Sequence, residues 1–336
     1  MNRSAPYLKL LTTVLLACAA TATGAARAQA PIVIKFSHVV APDTPKGRAA
    51  ERFKLLAEQM TGGRVKVEVY PNSQLYRDRE ELEALQLGAV QMLAPSLAKF
   101  SPLGVKEFEA FDLPYIFPSK EALYAVTEGR IGRGLLRKLE SKGITGLAYW
   151  DNGFKVMSAN KPLLAPGDFR GLRMRIQASR VLDAQMRALG AQPVALAFSE
   201  TAPALRDGVV EGTENPPSNM FTQRMHESQK HLTVSNHGYL GYAVIVNKKF
   251  WDGLPGAVRK QLERAMLEAT AYEKTIAQRT NDAALESIRR AGTTTIHTLS
   301  PQQQAEWRRA MQPVYTQMED RIGKDIVGAI RREANR

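Results

Sequence analysis

Short apolar runs of strand type alternate with helical patterns along most of this chain, and that alternation limits the fold more than any other feature. Ile32-Val33-Ile34-Lys35-Phe36 is the first such run. Pro42 and Pro45 follow, then a helical spacing of Ala49, Phe53, Leu56 and Met60 that stops at Gly62-Gly63. Val65, Val67 and Val69 alternate with Lys66, Glu68 and Tyr70 as a half-buried strand does. A helix through Leu82, Leu85 and Leu87 ends at Gly88, and 90–94 again reads as a strand. Further strand candidates lie at 144–150, 172–177, 194–198, 232–234 and 242–246. Strands joined through helices of this length build a mostly parallel sheet with both faces covered, so the chain is α/β.

At 336 residues the chain is about twice the usual domain size, which predicts two α/β units. From Pro255 to about Ala291 one helical pattern runs without a break and without a sustained heptad seam, so this helix crosses both units. No Gly/Ser linker separates the halves, and the chain therefore crosses through ordered strands. The expected division is a first lobe of 29–151 plus 241–280 and a second of 152–240 plus 281–336, hinged near Asp151-Asn152 and Leu240-Gly241.

Composition narrows the function. With 44% apolar and 24% charged residues, and no run of eighteen apolar residues beyond the extreme N-terminus, disordered and multi-span membrane chains are excluded. The formal charge of +13 raises nucleic acid, anionic membrane and anionic ligand alike. From Trp251 to the end, 14 basic residues stand among 11 acidic ones, a mixed surface rather than a basic arm, and no nucleic-acid-binding motif is present.

Residues 1–28 have the layout of a secretory signal: Arg3 and Lys9, an apolar stretch from Leu10 through Ala20, then Ala26-Arg27-Ala28. Cleavage there starts the mature chain at Gln29 and lowers the charge to +10, since Arg3, Lys9 and Arg27 leave. The alternative cut after Ala30 would place Pro31 behind the scissile bond. Cys18, the one cysteine, falls inside this segment, so the mature chain has no thiol; read as a lipoprotein processing site, Cys18 would instead be a lipid anchor. The segment predicts export from the cytoplasm, and the expected state is a monomer.

The enzyme templates are empty: H-E-x-x-H, Walker A, G-x-S-x-G and G-x-G-x-x-G are all missing. The histidines, 38, 226, 231, 237 and 297, form no i,i+4 pair, so neither metal nor cofactor is expected, and His226 and His231 read as solvated. Three features supply hydrogen-bond donors. In Leu172-Arg-Met-Arg-Ile-Gln177, strand alternation puts Arg173, Arg175 and Gln177 on one face, either solvated or turned into a crevice where a guanidinium takes a carboxylate bidentately. In Glu214-Asn215-Pro216-Pro217 the prolines stiffen the backbone that presents Asn215. Tyr149 to Lys155 reads as a strand end, a turn at Asn152-Gly153 and a restart. Donors without bases suit anion capture better than proton transfer.

Several segments resemble the extracytoplasmic solute receptors of tripartite ATP-independent periplasmic (TRAP) transporters, the DctP-type family: Tyr70-Pro-Asn-Ser-Gln-Leu75, Asp112-Leu-Pro-Tyr-Ile-Phe117, Gly171-Leu-Arg-Met-Arg175, Ala197-Phe-Ser-Glu200 and Gly212-Thr-Glu-Asn-Pro216 among them. The resemblance spans Ile32 to about Gly323. It implies a two-lobed periplasmic-binding-protein-like fold with crossing strands and a long helix spanning both lobes. It implies that Arg175 pairs with a ligand carboxylate, that Asn215 contacts the same group and that Phe198 packs on the ligand. Lys155 and Lys99 match positions of further cations, and Asn152, Trp150, Ser96 and His38 match pocket-facing segments. The C4-dicarboxylate subgroup is most similar, which implies succinate, fumarate or malate as ligand, TRAP membrane permease subunits as partners and no enzymatic activity. Thr201-Ala202-Pro203 departs from the Val-Tyr continuation usual there, and Glu211 from a usual aspartate; loss of that tyrosine is expected to widen the pocket toward a bulkier acid. A ligand-sensing partner of a signalling protein is the remaining alternative.

Overall fold

The computed structural model describes residues 30–335, so the expected leader, with Cys18, lies outside the described residues. Eleven strands are found among them: β1 (Ile32–Ser37), β2 (Val65–Tyr70), β3 (Met92–Leu93), β4 (Ile144–Phe154), β5 (Val156–Ala159), β6 (Arg173–Ile176), β7 (Gln192–Ala195), β8 (Gly212–Asn215), β9 (His231–Val234), β10 (Tyr239–Asn247) and β11 (Thr295–Thr298). They form two sheets, ordered β2-β1-β3-β10-β4 and β11-β9-β5-β8-β6-β7. Pairs joined through helices, such as β1 with β2 and β6 with β7, are parallel, as the alternation predicts. The antiparallel pairs all involve β4, β5 or β10.

These are the strands that cross. Only Lys155 separates β4 from β5, and β9 returns to β10 through 235–238; the Lys155 N–H donates to Gly238 O at 2.9 Å where the two crossings run side by side. Each half thus gets its own sheet and the two-lobed α/β fold needs no flexible linker. The turn expected at Asn152-Gly153 does not form. Because β10 offers β4 a continuous partner, the chain stays extended: Gly241 pairs with Asp151 and Leu240 with Gly153, leaving Asn152 as a bulge. Gly153 takes φ +122°, a backbone region that favours glycine.

The helix Gly256–Ala291 has 36 residues and packs on the helix Pro45–Met60, on β4 and on the helix Pro217–Thr222. It holds the bulge through buried polar groups. Asn281 Nδ2 donates to Asn152 O (2.6 Å), Asn281 Oδ1 accepts from the Ser218 N–H (3.0 Å), and Glu273 Oε2 accepts from the Asp151 N–H (3.1 Å). Burial, with the neighbouring Asp151 charge, pushes the Glu273 carboxyl well above its ordinary range.

Two local readings differ. The strand expected to reach Phe198 ends at Ala195, and Phe198 opens a helix, Phe198–Arg206, because Glu200 caps the Ala197 N–H at 2.9 Å. The C-terminal helix Lys324–Ala334, expected with the second lobe, packs Val327, Ile330 and Ala334 into the cluster of Leu123, Val126 and Leu135 beside the first sheet.

Gly153→Ala tests the crossing. A Cβ there would lie 2.7 Å from Asn281 Nδ2, on a backbone that alanine resists, so stability should fall by about 2 kcal/mol or more. Urea unfolding midpoints read this directly, and a variant as stable as the parent would show that the bulge carries no strain.

Candidate functional site

On β6, Met174 and Ile176 face one buried cluster and Arg175 the opposite side, as alternation requires. That side is not solvated. Arg175 is 2% exposed, because β6 lies between β7 and β8 and the chain after β7 folds over it. Its Nε–H and Nη2–H both donate to Leu196 O, at 3.1 and 2.8 Å, which leaves Nη1 for another acceptor. Burial lowers its pKa to about 10, opposed first by Asp78, so it is a cation at neutral pH. Arg173, by contrast, is exposed and ties its own backbone and side chain to Glu211.

Asn215 ends β8, and Pro216 and Pro217 start the helix Pro217–Thr222, whose Asn219 Nδ2 donates to Asn215 Oδ1 at 3.1 Å. Across from it, Ser96 bridges to Tyr242 of β10 and begins the turn that carries Lys99. Ser96, Lys99, Phe198 and Asn215 line one small cavity together with Asp78 and Tyr242. Its volume is about 20 Å³, room for roughly one water. A wider cavity of about 340 Å³ adjoins it, sharing Asp78, Lys99 and Gln177 and reaching Arg175, with Leu82, Leu103 and Ala195 as apolar wall. The structure therefore brings five of the expected residues to one place: Arg175, Asn215, Phe198, Lys99 and Ser96.

Four expected residues do not line that cavity. Lys155 is buried and its Nζ donates to Glu214 Oε1 at 2.7 Å, so its charge is answered within the protein. His237 Nε2 lies 2.8 Å from Glu214 Oε2; since a carboxylate only accepts, that nitrogen carries the proton, and Nδ1 is left to accept from Ser235 Oγ at 2.7 Å. Trp150 packs on Phe36 in the first core and donates its indole N–H to Thr270 Oγ1 at 2.9 Å. Asn152 is the bulge residue pinned by Asn281. His38 is buried, and burial, reinforced by Lys46, lowers its pKa to about 3 and keeps it neutral. Two other readings change as well. His226 is buried rather than solvated, stacked on Phe221, and Thr201 and Ala202 do not line the cavity, since Thr201 is buried and Ala202 packs against the cluster of Phe198, Leu205 and Val210.

The structure adds groups that local spacing did not single out. Lys99 sits between Asp78 and Glu81, contacting both carboxylates. Burial alone would lower its pKa, but Glu81 and Asp78 outweigh that and raise it. Burial would raise Asp78, yet Lys99, the Phe198 N–H and Arg175 hold it below the ordinary carboxylate range. Lys46 lies 3.6 Å over the Tyr242 ring and donates to Ala94 O at 2.9 Å; burial brings its pKa down to about 7. In the sequence Asp78 and Glu81 sit in a charge run and Lys46 in the first turn of an amphipathic helix, both surface-like patterns.

The model of bacterial extracellular solute-binding protein family 7 matches residues 36–321. The chain is 65% identical over 301 residues to the C4-dicarboxylate-binding periplasmic protein DctP of Rhodobacter capsulatus, covering 90% of each. It is 41% identical over 300 residues to the C4-dicarboxylate-binding protein DctB of Bacillus subtilis, covering 89% of this chain and 85% of that one. Among solved structures it resembles a TRAP periplasmic solute-binding protein from Shewanella oneidensis with bound succinate, at 42% identity and TM-score 0.89 over 91% of this chain and all of that one. A counterpart from Pseudomonas aeruginosa with bound L-malate matches at 45% identity and TM-score 0.83, over 85% of this chain and all of that one.

The Lys155–Glu214 pair sets an acid limit. Burial would raise the Glu214 carboxyl, but Lys155 and the hydrogen bond to His237 bring it from its ordinary 4.5 down to about 2. A carboxyl depressed in the folded state contributes stability above its unfolded pKa and loses it as pH falls from about 4.5 through about 2. Glu214→Gln should remove that contribution and leave a buried ammonium unpaired, costing about 3–5 kcal/mol at neutral pH in chemical unfolding. A loss below about 1 kcal/mol would show that Lys155 finds other partners.

Proposed function

Because the chain belongs to bacterial extracellular solute-binding protein family 7, we propose that it is the periplasmic receptor of a TRAP transporter and that it holds a C4-dicarboxylate, succinate, fumarate or malate, between its lobes. The observation that carries this reading is Arg175: a buried cation with donor capacity to spare, between the two sheets, at the edge of a cavity walled from both. An unpaired buried charge is costly, and a ligand carboxylate answers it. Asn215 and Ser96 are then the neutral donors beside that carboxylate, and Phe198 covers the carbon chain. Lys99 contributes through the field it shares with Asp78 and Glu81, while Lys155 works as a structural ion pair rather than as a ligand contact.

The lobes in this reading are 29–151 with 241–280, and 152–240 with the chain from 281, except that 324–334 moves with the first lobe. Closure brings Asn215 and Phe198 against Ser96 and Lys99 and excludes water from the carboxylate. A second reading, a bulkier carboxylate, is favoured by the 340 Å³ cavity with its apolar wall next to Arg175.

Arg175→Lys keeps the charge but not the planar fork. With one charge-assisted bond lost, succinate affinity should fall about ten- to hundredfold in calorimetry, and unchanged affinity would remove Arg175 from the site. A ligand that binds only the folded protein stabilises it by about 2.7 kcal/mol at one hundred times its Kd. A thermal-shift screen of C2 to C6 mono- and dicarboxylates should therefore give its largest rise with C4 diacids; a rise with sugars alone would overturn the organic-acid reading.

A further inference from the structure

The constellation that suits an anion in this cleft already holds one of the protein's own carboxylates. Asp78, on the segment after β2, accepts the Phe198 N–H at 2.6 Å with Oδ2 and contacts Lys99 through Oδ1. Phe198 lies 120 residues away and opens the helix Phe198–Arg206, built on the second sheet, so this contact spans the two lobes. The Phe198 N–H belongs to the first turn of that helix, where N–H groups lack intrahelical partners and the dipole favours negative charge. Arg175 adds a third positive influence on the same carboxylate. On its Asn215 side the cavity is closed to about 20 Å³, too little for a four-carbon acid, while on its Arg175 side Asp78 also lines the cavity of about 340 Å³.

We propose that Asp78 is a latch: it occupies the anion position at the start of the helix Phe198–Arg206, holds the lobes together without ligand, and is displaced from Phe198 and Lys99 when a ligand carboxylate arrives. The exchange keeps the N–H and the ammonium answered, a ligand carboxylate taking the place of Asp78, and on displacement Lys99 passes from a contributor of field to a direct contact. Displacing it opposes binding, so Asp78 sets affinity downward and limits the rate of entry. The displacement half rests on the organic-acid reading above; the latch half concerns the ligand-free protein and stands or falls separately.

The test exploits the absence of cysteine from 29–336, which lets a spin-label pair at Leu87→Cys and Asp207→Cys report the distance across the cleft. Both positions are exposed, one on each side. In ligand-free protein, Asp78→Asn and Asp78→Ala should lengthen that distance, the alanine variant more, while Asp78→Glu should stay near the parent. Unchanged distances in both neutral variants overturn the latch. With succinate as probe, the neutral variants should bind at least about tenfold more tightly and associate faster, because the competitor is gone. Weaker binding than the parent would overturn displacement and make Asp78 a support for Lys99. In the parent, stopped-flow binding rates should level off at high succinate, since the latch opens first; a rate that keeps rising linearly would overturn that order even if the variants fail to fold. Failure of the parent to bind succinate at all would count against the ligand assignment, and the spin-label distances in ligand-free protein would still decide whether the latch exists.

Discussion

The buried ion pair of Lys155 with Glu214 is the interaction on which the rest of the structure depends. Lys155 is the single residue between β4 and β5, where the chain leaves one sheet for the other, and Glu214 sits on β8, the strand that pairs with β5. Joining them fixes how β5 and β8 align, and β8 in turn aligns β6. One position along from Glu214, Asn215 turns to the opposite face and reaches the cavity, and Arg175 lies beside Thr213 in the same register. A one-residue slip in that pairing would face Glu214 into the cleft and Asn215 into the core. His237 closes the arrangement by giving Glu214 a second donor, so the carboxylate is satisfied on both oxygens without solvent.

The same rule of charge satisfaction separates structural from available cations. Lys46, Lys99, Lys155 and Arg175 are basic side chains that lie buried or nearly so. Lys155 has Glu214, Lys99 has Asp78 and Glu81, and Lys46 rests on a carbonyl oxygen and an aromatic face. Arg175 spends two donors on one neutral carbonyl and has no carboxylate in direct contact among the described residues. Lys46 too is answered only by dipoles, but burial brings its pKa down to about 7 while Arg175 stays charged, and in a low-dielectric setting a cation answered only by a dipole gains most from an added anion. The proposed preference of the site for an organic acid rests on which charges the fold has left unanswered.

The way the sheets are joined limits how the lobes can move. Two strands and a helix of 36 residues cross together, so the proposed closure is confined to rotation about a few residues rather than a swing on a tether. The bulge at Asn152 and the left-handed Gly153 lie in that crossing, fastened to the long helix by Asn281 and Glu273. A bulge tolerates changes in dihedral angle that a regular ladder resists, because its extra residue has no ladder bond to break.

Much of this was legible from residue order. The strand and helix rhythm, the long helix after Pro255, the crossing without a linker and the face on which Arg175 lies all follow from periodicity and from where Gly and Pro stand, since these are local properties of the backbone. The resemblance in short segments was enough to indicate the family. Only the tertiary structure decided which polar residues are spoken for. Lys155 finds Glu214 59 residues away, and Asp78 finds the Phe198 N–H 120 residues away; no spacing rule links such pairs, because the first is made by the pairing of β5 with β8 and the second by packing across the cleft. For the same reason Asn152-Gly153, a turn by its own chemistry, is a bulge here: the strand that keeps it extended begins at Tyr239, and a local preference on the order of 1 kcal/mol yields to a ladder of backbone hydrogen bonds.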